Sequence, residues 1–411
     1  MAHHVRPTTG VSAFNRGMKS VLIVGASIAG PALAWWLHRY GFEVTVVERA
    51  PALLPGGYKV DIRGAALDVV AQMGLKDRLE GLGTDMRFMS FVNSTGRRLV
   101  DVRADLFMGR GEADLEVMRG DLSQILYDET RANVDYRFGD TVTGLNAVTG
   151  EVTFEHADAQ SYDVVIGADG LHSTVRRLAV AGDGVHDLGH LVSIATVPNH
   201  LELDRWELIY SVPGRTVNLY STARDTDAKV LFLFSADQPY ERQDTEQQLR
   251  ILNTTFRGAG WETDRLLEAA ATSDDFYFDT VSQVQLDRYS VDRVSLVGDA
   301  AYCPSFASGQ GTSLALVGAY VLAGELSRST PATAFPAYEQ LMRPYVARNL
   351  KLGRDNLGRM ISKSPLQSWM GAMMLRVLPK LPLKDTLVAK VTQPIHDASR
   401  AIELPSYQTV S

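Results

Sequence analysis

Residues 20–48 read SVLIVGASIAGPALAWWLHRYGFEVTVVE, and the class of fold can be inferred from this segment. Its apolar opening, Ser20 to Val24, predicts a β-strand, and a helix is predicted from about Ile28 to Tyr40. Gly41 suits the end of that helix, and Glu43 to Glu48 predicts a second strand. A strand, a helix and a strand within about 30 residues predict a parallel βαβ unit with a right-handed crossover.

The turn between the first strand and the helix has the pattern of a dinucleotide-binding loop. The first glycine of such a loop permits a tight turn, a small middle residue lets the backbone approach a pyrophosphate, and the last glycine lets helix and strand pack closely. Gly25 and Gly30 take the outer positions, and Ser27 stands in the middle. Glu48 lies 23 residues beyond Gly25, near the spacing of about 20 residues expected for a carboxylate that binds a ribose hydroxyl. The turn therefore predicts a nucleotide site at a helix N-terminus, where an anion binds well.

The same stretch holds 17 uncharged residues, Val21 to Leu37, a pattern that also occurs in signal peptides and short membrane spans. Two glycines and Pro31 interrupt this run, and a strand-like segment follows at once. We therefore interpret the run as a buried strand, a turn and a buried helix. Residues 1–17 lack hydrophobic periodicity and predict a disordered leader.

The composition is that of a soluble globular protein, with 411 residues, 45% hydrophobic and 22% charged. The length predicts two or three structural units. A net charge of −7 argues against a nucleic-acid partner, which needs a basic surface. Cys303 is the single cysteine, so we expect no intrachain disulfide, a reducing compartment and a cytoplasmic protein without a membrane partner. The histidines show no metal-binding spacing, and no metal is predicted.

Two stretches, residues 85–118 and 187–285, have the pattern of antiparallel strands. The second holds strand-like runs at about 208–210, 216–221 and 230–234. The predicted fold class is α/β: a Rossmann-like domain with an inserted, mostly antiparallel β-sheet substrate domain and a C-terminal helical segment. The nucleotide domain is predicted to be discontinuous and to comprise residues 18–84, 119–186 and 286–330. The final helices are predicted to follow it at 331–411.

Two further motifs follow predicted buried strands. One is Asp163-Val-Val-Ile-Gly-Ala-Asp-Gly170, with Ser173 shortly after it. The other is Val294-Ser-Leu-Val-Gly-Asp-Ala-Ala301, followed by Gly309-Gln310-Gly311-Thr312. Each motif alone is consistent with a strand that ends in a loop. The order of all three motifs in one chain is not readily explained by chance.

This combination resembles the class A flavoprotein aromatic hydroxylases, the family of para-hydroxybenzoate hydroxylase and the tetracycline-inactivating monooxygenases. The resemblance covers about Lys19 to Leu350. It implies an FAD-dependent monooxygenase that uses NADPH or NADH as a transient reductant and O₂ as the oxygen source. It implies hydroxylation of an aromatic or polyketide-like small molecule through a flavin hydroperoxide, with the hard chemistry supplied by the cofactor.

The resemblance also implies roles for individual residues. Glu48 would hold the adenosine ribose, Arg49 would lie near the adenine, and Asp299 would bind the ribityl chain. The remaining residues that the resemblance implies as FAD contacts are Gly25, Ser27, Ile28, Ala29 and Gly30 at the first turn, Asp61 in the variable loop of the tetracycline-inactivating branch, Arg119, Asp169 of the Asp-Gly motif, and Gly309, Gly311 and Thr312 at a helix N-terminus beside the flavin.

The substrate is expected between the inserted sheet and the flavin. Tyr210, Tyr220 and Phe232, together with Phe234, are candidate pocket residues, although their alternation along strands is equally typical of core packing. No catalytic acid or base is predicted. Tyr302 stands where the family often has histidine, and the proline that follows it comes early, at Pro304, so the loop at the flavin face is expected to differ.

Alternative functions remain open at this point. A flavin reductase or dehydrogenase without oxygen transfer would share the fold, and so would a non-catalytic protein that binds flavin or another ligand. The chain has no second glycine-rich βαβ unit, which disfavours flavoenzymes with a separate NADPH domain. The expected oligomeric state is a monomer or a homodimer.

Overall fold

The computed structural model describes residues 20–54, 56–180, 182–236, 239–362 and 384–407, with 364, 370, 371, 373 and 374. The predicted disordered leader, residues 1–17, lies outside the described residues. The sequence also predicts a Met-rich apolar segment at 369–378, and the greater part of it lies outside the described residues as well.

The described strands alternate with helices in the first part of the chain and follow one another in the middle. In chain order they are β1 (Ser20–Val24), β2 (Glu43–Glu48), β3 (Lys59–Ile62), β4 (Phe88–Val92), β5 (Arg98–Arg103), β6 (Leu115–Met118), β7 (Asp135–Phe138), β8 (Val142–Leu145), β9 (Glu151–Phe154), β10 (Gln160–Ser161), β11 (Val164–Gly167), β12 (Val185–Val197), β13 (Trp206–Val212), β14 (Arg215–Ser221), β15 (Ala228–Ser235), β16 (Tyr277–Val284), β17 (Ser290–Val291) and β18 (Val294–Leu296).

The described helices become long only towards the end of the chain. In order they are α1 (Ala29–Arg39), α2 (Ala65–Gln72), α3 (Lys76–Glu80), α4 (Ala104–Met108), α5 (Arg119–Thr130), α6 (Thr174–Ala179), α7 (Thr245–Phe256), α8 (Thr263–Ala271), α9 (Asp299–Tyr302), α10 (Gly311–Arg328), α11 (Pro331–Met360) and α12 (Lys384–Ser399), with a short 3₁₀ turn at Phe306–Ser308 before α10.

The first sheet has six strands in the order β17-β18-β11-β1-β2-β7, and all its pairings except β17 with β18 are parallel. Both faces of this sheet are apolar, and helices that include α1 and α10 pack with it in one core, so the central strands are buried. The predicted βαβ unit is confirmed, and the uncharged run forms β1, a turn and α1. The carboxyl ends of β1, β11 and β18 lie side by side, which brings the three sequence motifs together.

The second sheet has seven strands in the order β16-β12-β15-β14-β13-β4-β5. Only β13 with β4 is a parallel pair, so the predicted mostly antiparallel sheet is confirmed. Strand β6 does not join it; β6 pairs with β3 in a separate two-stranded sheet. The division into domains stays a prediction.

The seven-stranded sheet has two distinct faces, because side chains alternate along each strand. On the far face, Phe232, Phe234 and Tyr210 pack in a hydrophobic cluster with residues of α7 and α8. On the near face, Ile194 and Leu233 pack against the loop that precedes α10. The near face therefore lies towards the six-stranded domain, and the far face lies under its own helices.

The stretch 187–285, for which a mostly antiparallel sheet was predicted, also contains two helices within residues 245–271 that were not predicted from the sequence. They are α7 and α8, whose apolar side chains recur at helical spacing, as Ile251, Leu252 and Phe256 do, and cover the far face. Within the final helical segment the sequence predicts a helix over 334–355; helix α11 is longer and contains two prolines in its interior. Within the described ranges, no helix has both the length and the apolar character needed to cross a membrane.

Candidate functional site

The first glycine turn is built for close packing between strands. Gly25 has a φ of +110°, and a Cβ there would lie 2.5 Å from the carbonyl oxygen of Ala168, at the end of the neighbouring strand β11. A Cβ on Gly30 would lie 1.9 Å from the Gly25 oxygen. Both contacts are far shorter than van der Waals distance, so only glycine fits either position. The turn leads the chain directly into α1, with Ser27 exposed at its opening.

The N-terminus of α1 is suited to an anion. Ile28 at the N-cap gives no side-chain hydrogen bond, and the first turn contains no acidic residue, so the backbone N–H groups are not neutralised by a carboxylate. Arg119, the first residue of α5, donates from Nη1 to the Ser27 hydroxyl at 3.3 Å and from Nη2 to the Leu54 carbonyl at 3.4 Å. A helix N-terminus, a hydroxyl and a guanidinium thus converge on one point.

Glu48 lies at the end of β2, beside the same turn. Its carboxylate accepts hydrogen bonds from the Ala26 N–H and the Ala50 N–H, each at 2.9 Å. The side chain therefore stiffens the glycine turn while it remains half-buried next to it. Arg49 is exposed beside Glu48. The structure brings Gly25, Ser27 and Glu48 together, as the sequence predicts.

The Asp169 carboxylate accepts hydrogen bonds within the loop that follows β11. One carboxylate oxygen accepts from the hydroxyl of Ser173, and the other accepts from the N–H groups of Thr174 and Val175 at 2.6 and 3.1 Å. Burial raises the pKa of Asp169, and these hydrogen bonds act in the opposite direction. The carboxylate therefore holds the N-terminus of α6 and fixes the Asp-Gly loop. A direct contact between Asp169 and FAD stays a prediction.

Asp299 opens α9 at the carboxyl end of β18. A Cβ on Gly311, the first residue of α10, would lie only 3.7 Å from Asp299 Oδ1, so this carboxyl faces the N-terminus of α10. It is accessible on one side, but the surrounding protein atoms restrict its hydration and raise its pKa, while a hydrogen bond with Cys303 lowers it. Asp299 also contributes to the high pKa of Tyr58, about 12, for which burial is the largest cause.

Asp61 approaches α10 from β3. A Cβ on Gly309 would lie 3.6 Å from Asp61 Oδ2. The carboxylate accepts from Arg63 Nη2 at 2.9 Å and from Arg110 Nε at 3.0 Å. Burial alone would raise the pKa of Asp61, but the two guanidinium groups hold it below its ordinary value. Asp61, Gly309, Gly311 and Asp299 thus surround one end of α10.

The amide of Gln310 lies at this same helix end and has no partner. Gln310 is fully buried at the N-cap of α10, and among the residues that the structure describes neither its Nε2 nor its Oε1 makes a hydrogen bond. Thr312, in the first turn, is also buried. An unpaired buried amide is costly, so this position calls for a group that offers both a donor and an acceptor.

The residues that surround the two helix ends fit FAD. Ser27, Arg119 and the N-terminus of α1 are suited to its pyrophosphate, and Glu48 to its adenosine ribose. The acceptor Asp299 is suited to ribityl hydroxyls. The N-terminus of α10, with the unpaired Gln310 amide, is suited to the pyrimidine edge of a flavin, which carries N–H and C=O groups and gains negative charge on reduction.

The candidate substrate residues separate between the two faces of the seven-stranded sheet. Tyr210 and Phe232 lie in the far-face cluster, where the Tyr210 hydroxyl donates to the Ala259 carbonyl at 2.5 Å. The structure therefore does not bring them to the site, because α7 and α8 cover them. Phe234 shares their burial. Tyr220 lies on the near face, where its hydroxyl accepts from the Lys59 N–H at 3.2 Å.

Tyr302, which replaces the histidine common in the family, does not face the site. It is fully buried, its hydroxyl accepts a hydrogen bond from Tyr338 at 2.9 Å, and its ring packs against Tyr289. Tyr302 is therefore part of the hydrophobic core behind α9. Pro304 follows in the loop that leads to the 3₁₀ turn.

Sequence reasoning missed Tyr277 and Asp279 of the near face, Tyr58, which packs against that face, and His172 of the Asp-Gly loop. Tyr58 follows two glycines, and His172 lies inside a motif that was already singled out, so both carried a local signal. Tyr277 and Asp279 carried none, because only the strand register shows that they face the six-stranded domain.

Comparisons with known proteins agree with this geometry. A family profile described as an FAD binding domain matches residues 18–354. A flavin-dependent monooxygenase from an unknown prokaryotic organism is 36% identical over 395 residues, which span 95% of this chain and 99% of that protein. An uncharacterized protein of Mycobacterium tuberculosis (strain CDC 1551 / Oshkosh) is 42% identical over 349 residues, 83% of this chain and 94% of that one.

Two solved structures give the same result for the fold. The crystal structure of tetracycline destructase Tet(55) has a TM-score of 0.82 and 35% sequence identity, and covers 95% of this chain and 99% of that chain. The structure of Klebsiella pneumoniae HpxO complexed with FAD and uric acid has a TM-score of 0.72 at 20% identity, covers 92% of this chain and 97% of that one, and shows the fold alone.

The profile covers more than half of the chain, and the monooxygenase relative is matched over almost its full length. The profile also includes all three glycine-containing motifs that the sheet brings together. The chain therefore belongs to the FAD-binding family of flavin-dependent monooxygenases and is an FAD-dependent oxidoreductase.

Proposed function

We propose that this protein hydroxylates an aromatic or polyketide-like small molecule, with NADPH or NADH as the reductant and O₂ as the oxygen source. The observation that carries the proposal is the convergence of Asp299, Asp61 and the N-terminus of α10 opposite the near face of the seven-stranded sheet. FAD, when bound, supplies the transfer of electrons and the activation of oxygen. The tetracycline destructase among the relatives supports a polycyclic substrate.

The chain's own residues have three tasks in this proposal. Ser27, Arg119 and Glu48 bind the ADP half of the cofactor and Asp299 its ribityl chain. The N-terminus of α10 stabilises negative charge at the flavin ring. The near face, together with the loop at 304–309, surrounds the substrate and excludes water from the reacting atoms.

The substrate space is bounded by residues of both kinds. Leu233 and Ile194 give the near face an apolar part, whereas Tyr220, Tyr277 and Asp279 give it a polar part. An aromatic molecule with a few hydroxyl or carbonyl groups matches such a surface, since ligand pockets are mostly apolar with a small number of placed polar groups.

The test is a screen of aromatic compounds for stimulated NADPH and NADH oxidation by the purified, FAD-loaded protein under ¹⁸O₂. We expect one class of compound to accelerate oxidation and to appear with one ¹⁸O atom per molecule. Stimulated oxidation without ¹⁸O in the product would show a reductase or dehydrogenase instead. Ligand binding without any turnover would show a non-catalytic binding protein.

The cysteine content bears on the compartment in which the protein works. The single cysteine, Cys303, is buried, so the fold does not depend on a disulfide and suits a reducing, cytoplasmic compartment. The oligomeric state, a monomer or a homodimer, stays a prediction, which sedimentation of the purified protein would decide.

A further inference from the structure

A cluster of hydrogen-bond donors surrounds the carboxylate of Asp279 on β16. His172 Nε2 donates to it at 2.8 Å and the Tyr240 hydroxyl at 2.9 Å. The Tyr277 hydroxyl donates at 3.0 Å, and the Thr280 N–H at 2.8 Å. Asp279 is only 3% exposed. Burial alone would raise its pKa, but His172 and the other donors hold the pKa below the ordinary value, so the group is an ionised acceptor.

His172 comes to this cluster from the Asp-Gly loop, which the chain holds firmly. Arg177 donates to the His172 carbonyl at 2.7 Å, and Arg176 donates to the Leu171 carbonyl at 2.5 Å. Asp169 caps the helix that follows. The imidazole therefore reaches Asp279 from a fixed loop of the six-stranded domain, and its proton must lie on Nε2, because a carboxylate can only accept.

Tyr277 places its ring on the near face of the sheet. In the antiparallel register it lies directly opposite Ile194, and directly opposed residues share a face. Ile194 belongs to the cluster that packs on the loop before α10. As a whole residue Tyr277 is 46% exposed, in contrast to the buried Asp279 that its hydroxyl binds. Its ring is thus available on the side where the substrate is expected.

The orientation of the Tyr277 proton decides what this side chain offers to a ligand. A tyrosine hydroxyl has one proton and two acceptor lone pairs. The Asp279 carboxylate takes the proton, because it can only accept. Towards the site, Tyr277 therefore offers lone pairs alone. A ligand atom that meets them must be a donor, such as a phenolic or enolic hydroxyl.

We propose that Tyr277 is a specificity-determining residue that accepts a hydrogen bond from a hydroxyl group of the substrate, and that Asp279 and His172 are the positioning residues that fix its proton away from the substrate. The inference rests on the proposed function and narrows its substrate class to hydroxylated aromatic compounds. A substrate without a hydroxyl donor would leave the Tyr277 oxygen without a hydrogen-bond partner in the site. Such a substrate should therefore bind more weakly.

The test compares hydroxylated and methylated probes. Two pairs are used: 1-naphthol with 1-methoxynaphthalene, and 1,8-dihydroxyanthraquinone with 1,8-dimethoxyanthraquinone. Dissociation constants are measured from the perturbation of the flavin absorbance of the FAD-loaded protein. We expect the parent protein to bind the hydroxylated member of a pair at least tenfold more tightly. In Tyr277→Phe the preference should fall to about twofold or less, with unchanged flavin content and a loss of stability no larger than that of one hydrogen bond.

A second variant tests the positioning residues. Asp279→Asn keeps the size of the side chain but adds an N–H group, which lets the Tyr277 hydroxyl accept and turn its proton to the site. We expect this variant to bind the methoxy probe more tightly than the parent does. Tyr210→Phe, which removes a tyrosine hydroxyl from the covered far face, is the matched control and should keep the parent's preference.

The outcomes separate the two proposals. Equal binding of both members of a pair by the parent, or a parent-like preference in Tyr277→Phe, would overturn the role of Tyr277 and leave the proposed hydroxylation intact. Failure of every probe to bind the FAD-loaded parent would overturn the aromatic substrate class, and this inference with it.

Discussion

The two faces of the seven-stranded sheet are made by alternate residues of the same strands, yet they differ in chemistry. On β15, Phe232 and Phe234 lie on the far face, and Lys229 and Leu233 on the near face. The far face is apolar and closed by α7 and α8. The near face combines apolar residues with buried charges and faces the six-stranded domain. One face therefore joins the sheet to its own helices, and the other is available for binding.

A run of buried, alternating charges lies on the two-stranded sheet and reaches the near face at Glu207. Along β3, Lys59 pairs with Glu207 of the sheet at 2.5 Å and Asp61 with Arg63 at 2.9 Å. Arg110 bridges Asp61 and Glu116. Groups of this kind need every partner in place, because an unpaired buried charge is strongly destabilising. The far face has no such requirement, and there packing volume decides stability.

The largest expected effect comes from a cavity on the far face. Phe232 is fully buried, and its ring lies 5.0 Å from that of Phe256 in α7. Phe232→Ala should lower the free energy of unfolding by about 4 kcal/mol, the middle of the range for such truncations. Urea unfolding measures it, with the milder Phe232→Leu as the control. The KM of the folded variant should stay at the parent value. A large rise in KM would show that Phe232 contacts the substrate.

The second effect comes from a broken charge pair on strand β3, in the two-stranded sheet beside the near face. Asp61→Asn leaves Arg63 and Arg110 without their carboxylate and should lower the free energy of unfolding by about 3 kcal/mol. FAD retention should fall as well, since Asp61 lies against Gly309. Asp105→Asn, which breaks an exposed pair with Arg103, is the control and should change stability little. Equal effects of the two variants would contradict the buried network.

The same pair predicts a dependence on pH. The pKa of Asp61 in the folded protein is lower than in the unfolded chain, so its stabilising contribution is complete above the unfolded pKa, about 3.9. The contribution is lost as the pH falls through the folded value. We therefore expect the stability gap between the parent and Asp61→Asn to close on acidification below about pH 4. A gap that stays constant to lower pH would show that folding does not lower the pKa of Asp61.

A third effect concerns the cofactor rather than the fold. Asp299→Ala removes an acceptor suited to ribityl hydroxyls, and each hydrogen bond left unfilled costs about 1–3 kcal/mol. The dissociation constant for FAD, measured by fluorescence titration of the apoprotein, should rise by about tenfold or more. Asp287→Ala, at an exposed position nearby, serves as the control. FAD binding as tight as in the parent would show that the motif has been assigned wrongly.

The smallest effect returns to the far face. Tyr210→Phe removes the hydrogen bond to the Ala259 carbonyl and should cost about 1 kcal/mol of stability. Turnover and KM should not change, since α7 and α8 separate this hydroxyl from the site. The variant thus pairs with Tyr277→Phe, which also loses a tyrosine hydrogen bond and should lose at least as much stability, but which is expected in addition to alter ligand preference.

The six-stranded domain could be predicted closely from the sequence. Strand β2 has the predicted bounds, and α1 differs from its prediction by one residue at each end, because the glycine turn and the apolar run are local signals. The convergence of Gly25, Asp169 and Asp299 at one sheet edge was also predictable, since parallel buried strands end on the same side.

The seven-stranded sheet was less predictable, because its order depends on contacts that are distant in sequence. Strand β4 pairs in parallel with β13 across more than 100 residues, and no local pattern indicates that pairing. The choice of Tyr210 and Phe232 failed for the same reason: alternation shows that a strand has two faces but not which face is the binding one. The register with Ile194 was needed to find Tyr277.

The contact between Gly25 and Ala168 has a consequence for how relatives of this chain are read. The glycine is required by the joining of two strands even before any nucleotide is present, since a methyl group there would collide with the backbone. A descendant that had lost its cofactor would still keep Gly25. The exposed Ser27 and the Arg119 guanidinium are under no such packing constraint, so these two residues would be replaced first. Those two positions are therefore the better guide to whether a homologous sequence still retains the nucleotide.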